Sequence, residues 1–101
     1  MSQTASAPAA RPDRAEIAAL IRAHVAERFF VEFGDGGLGE GDDLFEAGVF
    51  DSMALVEFVA FLEERFAVTV APEAVMEGGI ASVAGAADHV AARMLEGGAP
   101  S

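Results

Sequence analysis

Four groups of side chains in this 101-residue chain are of types that do chemistry. They are the pair Asp51-Ser52, the stretch Gly34-Asp-Gly-Gly-Leu-Gly39, the carboxylates Asp35, Glu40, Asp42 and Asp43, and the histidines His24 and His89. The glycine stretch satisfies G-x-G-x-x-G, but a dinucleotide fingerprint needs a strand before it and a helix after it. Here a helical pattern precedes, a loop follows, and carboxylates crowd the place where phosphates would sit. As a calcium loop starting at Asp35 it places Gly37 and Gly39 where oxygen ligands belong. With two distant histidines and no cysteine, no metal site is expected. Ser52 lacks a G-x-S-x-G setting, and neither histidine is placed by sequence as its base, so no catalytic residue is expected either. What survives is the Ser52 hydroxyl. Asp51 is a good helix cap, which puts Ser52 at the first helical position with its oxygen outside the fold. A helix N-terminus carries partial positive charge and unpaired N–H groups, a setting that suits a phosphate ester. Asp-Ser also starts many helices for structural reasons alone, so the dipeptide does not decide by itself.

The elements that must position Ser52 follow from periodicity. Residues 1–12 are small, polar and proline-containing and read as a disordered tail, as does 97–101, leaving one domain at 13–96. Asp13 followed by Glu16 resembles a capping box, and Ile17, Leu20, Ile21 and Val31 give a first helix over about 14–31. His24 falls on its apolar stripe as a partly buried histidine. Gly34 to Asp51 holds six glycines and six carboxylates in eighteen residues, with Leu38, Leu44 and Phe45 as the inward candidates. A loop of that length in a small domain tends to be functional. The second helix starts at Ser52, and Leu55, Phe58, Val59, Leu62 and Phe66 make its apolar stripe. Val68-Thr69-Val70 has no strand to pair with and reads as an extended connection. Pro72 opens a short helix that Gly78-Gly79 ends, and Ser82 caps a last helix with Val83, Ala87, Val90 and Met94 inside. The expected fold is all-α, a four-helix bundle of three longer helices and one short one, with the long loop between the first and second.

Charge narrows the partners. Six arginines, no lysine and seventeen carboxylates give a net charge of −11. Such a surface repels nucleic acid and anionic lipid and speeds encounter with proteins that carry basic patches. No run of about 18 apolar residues suits a membrane span, and the first residues lack the pattern of a secretory signal. A monomer in the cytoplasm is expected. On the second helix, opposite the core stripe, Met53, Val56 and Ala60 lie among Glu57, Glu63 and Glu64, an apolar spot ringed by carboxylates. It reads as a docking face for a basic-rimmed, hydrophobic partner.

Taken together, the segment Asp42-Asp-Leu-Phe-Glu-Ala-Gly-Val-Phe-Asp-Ser-Met-Ala-Leu-Val-Glu-Phe58 resembles the modification site of acyl carrier proteins. Leu62-Glu-Glu-Arg-Phe66 and Ile80-Ala-Ser-Val-Ala-Gly-Ala86 continue the likeness, which covers about residues 14–95. The resemblance implies that a phosphopantetheinyl transferase attaches 4′-phosphopantetheine from coenzyme A to Ser52, with Asp51 as part of the motif. The arm's thiol would then hold an acyl group as a thioester, which fits a chain with no thiol of its own. It also implies a loading ligase or acyltransferase, and a downstream synthase, transferase or modifying enzyme, with the chain itself as shuttle and not enzyme. Three departures separate the chain from fatty-acid carriers. Ala54 stands where an acidic residue is frequent, Arg65 interrupts the acidic run, and Phe58 and Phe61 are bulkier than usual and reduce the room for a long acyl chain. The likeness is nearer to free-standing carriers of amino acids or short polyketide units, D-alanyl carriers among them. The alternative reading is a small acidic helical adaptor that is never modified.

Overall fold

The computed structural model describes residues 12–77 and 79–97. The tail assignments 1–11 and 98–101 and the stop at Gly78 lie outside the described residues. Among the described residues, four helices follow one another, α1 (Arg14–Phe29), α2 (Ser52–Phe66), α3 (Pro72–Met76) and α4 (Val83–Gly97). Among the described residues there is no strand, only an isolated bridge between Phe33 and Leu38.

Asp13 and Glu16 form a reciprocal capping box at the start of α1. The helix stops at Phe29, two residues before the expected 31, because Phe30 turns left-handed (φ 59°) and its N–H donates to the Ala26 carbonyl. α4 runs through Gly97, past the expected stop at 96. Its first turn is closed by Ser82, whose Oγ accepts from the Gly85 N–H at 3.0 Å. Gly85 is obligatory there, because a Cβ would collide with the Gly79 carbonyl.

α1 packs along α4, and the Arg14–Asp88 pair (2.6 Å) crosses that contact. The core takes Ile17, Ile21 and Val25 from α1, and Val83, Ala86, Ala87 and Val90 from α4. From α2 it takes Ala54, Phe58, Leu62 and Phe66. Leu55 and Val59, expected in the stripe, are half-buried at its edge, so the buried line is rotated toward Ala54. Ala54 was hidden from a reading by side-chain size, since an alanine contributes little to an apolar stripe.

The connection after α2 is held by side chains. The Val70 N–H donates to the Glu63 carboxylate (2.9 Å), the Ala71 N–H to Nε2 of His89 (3.2 Å), and Arg93 Nε donates to the Thr69 carbonyl (2.8 Å). These bonds satisfy backbone groups that no strand partner takes, which is why Val68–Val70 is extended without being a strand.

Candidate functional site

The long loop is fastened to the start of α4. The Leu44 N–H donates to the Ala81 carbonyl (2.7 Å), and the Ala84 N–H donates to the Glu40 carbonyl (2.8 Å). Leu44 is fully buried, and its own carbonyl accepts from the N–H groups of Val49 and Phe50 (2.9 and 3.0 Å). Asp43 Oδ1 accepts from the Phe45 and Glu46 N–H groups (2.8 and 3.0 Å), and Gly48 supplies the positive φ (80°) that reverses the chain. Phe50 is then driven into the core, a burial that no spacing in the loop signalled. Phe45 goes the other way. Expected inward, it is 41% exposed, with its edge against the Phe50 ring at 6.0 Å.

With Phe50 anchored, the next two residues are fixed. Asp51 is the N-cap of α2, and its Oδ1 accepts from the Ala54 N–H at 2.8 Å. Ser52 is the first helical residue and is exposed. The Leu55 N–H returns to the Asp51 carbonyl, so the N–H groups of Ser52 and Met53 are the ones the helix leaves over. An exposed serine at the start of a 15-residue helix, where backbone N–H groups lack helical partners, fits a phosphate ester. Removing the cap tests this local frame. Asp51→Ala should cost about 1 kcal/mol, and Asp51→Asn should keep most of it, read as shifts of the urea midpoint.

The six residues expected to dock a partner are spread over this same helix. Met53 and Val56 are 71% and 65% exposed, and Ala60 and Glu64 are exposed beside them. Glu57 is paired with Arg28 of α1 at 2.8 Å, both side chains about half exposed, and such a pair is worth at most about 1 kcal/mol. A partner can break it at small cost. Glu63 has a second task, because its half-buried carboxylate holds the Val70 N–H. Phe45 adds an exposed apolar ring on the loop that leads into this helix. Its sequence neighbour Leu44 is the residue that goes inside, and apolar type alone does not separate the two.

His24 lies flat on Phe61, ring centroids 3.7 Å apart and planes 5° from parallel. Burial, and then the charge of Arg28, hold its imidazole below the ordinary 6.5, while Glu27 and Glu57 pull upward. The unfolded chain therefore binds a proton near that value which the native protein still refuses. Stability owed to neutral His24 is complete above pH 6.5 and drains away as pH falls below it. His24→Phe keeps the stacked ring and should flatten this part of a urea-unfolding profile taken between about pH 7.5 and about pH 5.5.

A family model described as the phosphopantetheine attachment site matches residues 19–90. The chain belongs to that family. The match includes α2, the long loop, the connection to α3 and most of α4. No curated protein and no solved structure shows a significant match to the chain. Members of the family carry 4′-phosphopantetheine, and the four-helix fold is that of such a carrier. A carrier of this kind meets a phosphopantetheinyl transferase and the enzymes that use the loaded arm. Among the described residues, no helix is long and apolar enough to cross a membrane.

Proposed function

We propose that Ser52 is the residue that receives 4′-phosphopantetheine, and that the chain is a discrete carrier of acyl or aminoacyl groups. The observation that supports this most is the exposed Ser52 at the tip of α2, held there by the Asp51 cap and the buried Phe50. The unpaired backbone N–H groups at that helix start would suit the ester's negative charge, and Asp51 would present the serine to the transferase. When bound, the arm supplies a terminal thiol that holds cargo as a thioester, a function for which the chain has no cysteine. The base that activates the serine comes from the transferase. Ser52 is thus an attachment point and not a nucleophile in its own right.

Met53, Val56, Glu57, Ala60, Glu63 and Glu64 form the docking face for the transferase, for a loading ligase or acyltransferase, and for a downstream synthase, transferase or modifying enzyme. Binding there is transient, because each enzyme must release the carrier to the next. The pathway is natural-product assembly of the polyketide or nonribosomal-peptide kind, or aminoacyl transfer, in the cytoplasm. The test is intact-protein mass after incubation with coenzyme A and a broad-specificity phosphopantetheinyl transferase. The chain should gain one arm. An unchanged mass, with a control carrier modified alongside, would leave an unmodified acidic adaptor that docks through the same face.

A further inference from the structure

A seam of phenylalanine rings, mostly in tilted or edge-on contact, runs from α1 through the end of the long loop into α2. From Phe29 to Phe50, Phe58, Phe61 and Phe66, successive centroids are 5.4, 5.0, 6.3 and 6.1 Å apart, and His24 covers Phe61 from the α1 side. Phe50 immediately precedes Asp51, and Phe58 is only 1% exposed, so the series begins at the attachment end and continues through the core. Hollows lined by described residues open on the surface, one beside Phe61, Glu64 and Arg65, another between Pro12–Arg14 and Ala91–Leu95. Neither reaches Phe50 or Phe58.

A tethered apolar chain has two choices, to lie in water or to enter the bundle. Protein interiors are close-packed, so entry must open space, and forcing extra methylenes among packed rings destabilises the fold. A short polar group has little apolar surface to hide and gains nothing by entering. Resting on the attachment at Ser52, we infer that the aromatic seam shuts cargo out of the bundle. The carrier is thereby suited to short, polar acyl groups, aminoacyl groups among them, and not to long alkyl chains. An aminoacyl ammonium would also be favoured by the −11 surface on which it rides.

The experiment loads the whole chain with the transferase from acetyl-coenzyme A and, separately, dodecanoyl-coenzyme A, with mass as proof of loading. The two loaded forms should melt within about 1 °C of each other. Their amide spectra should differ at residues near Ser52 but not at Leu62 or Phe66 in the interior. Dodecanoyl-specific shifts at those interior residues, with a raised melting temperature, would overturn the inference and leave the attachment intact. Failure to load either form, with a control carrier loaded, would instead remove the attachment on which it rests. In Phe61→Ala the seam is cut at a half-buried ring, and the dodecanoyl form should acquire the interior shifts that the wild type lacks. A folded Phe61→Ala protein that shows none would mean that the rings are not what excludes the chain, and would also overturn the inference.

Discussion

Ser52→Ala should leave the fold unchanged and abolish loading by the transferase. The two halves of this result have separate causes. The serine is exposed, and the cap that starts α2 is made by Asp51 through the Ala54 N–H, so losing the hydroxyl should move stability by no more than about 0.5 kcal/mol. Loading should fall to nothing, because among the described residues no hydroxyl next to Ser52 can take over. Ser82, the other serine among the described residues, is half-buried, and its Oγ is engaged by the Gly85 N–H. Circular dichroism and intact mass on the same sample check both halves. A destabilised Ser52→Ala protein would show that the hydroxyl has a structural role beyond the cap.

Phe58→Ala should give the largest loss of stability. The ring is 1% exposed and lies between Phe50 and Phe61, at centroid distances of 5.0 and 6.3 Å. Truncation removes its buried surface, leaves a cavity and breaks both ring contacts, at a cost of about 3–5 kcal/mol. A small domain is stable by only about 5–15 kcal/mol, so the melting temperature should fall by roughly 15 °C or more. Phe50 would lose its support at the same time, and with it the anchor that fixes Asp51 and Ser52. The variant should therefore load more slowly even at temperatures where it is folded. A loss of less than about 1.5 kcal/mol would mean that the seam repacks around the gap.

The elements that local chemistry dictates were legible in the sequence. The Asp13–Glu16 box, the Asp51 cap, Pro72 at the head of α3 and Ser82 before α4 all act as their residue types predict. So did the all-α order and the extended Val68–Val70. What was not legible depends on contacts between distant residues. Phe50 is buried and Phe45 is not because the loop is pinned by the Ala81 and Glu40 carbonyls, which no local pattern reveals. The core line of α2 runs through Ala54, which is buried, while Leu55 is half-buried at its edge, a rotation that side-chain size alone does not show. Glu63 reads as one more surface carboxylate until the chain after Phe66 folds back to place the Val70 N–H against it. Phe30 ends α1 by a left-handed turn that favours glycine, and it leaves the ring 92% exposed. Nothing in the structure explains why phenylalanine stands there.

The most direct measurement is the site of the arm, read from fragment masses of the protein after proteolysis of the transferase-treated chain. Attachment at the tip of α2 predicts the added group on the peptide that contains Ser52, with backbone fragments assigning it to that residue. An arm on Ser82 or Thr69, or a chain left bare while a control carrier is loaded, would contradict it.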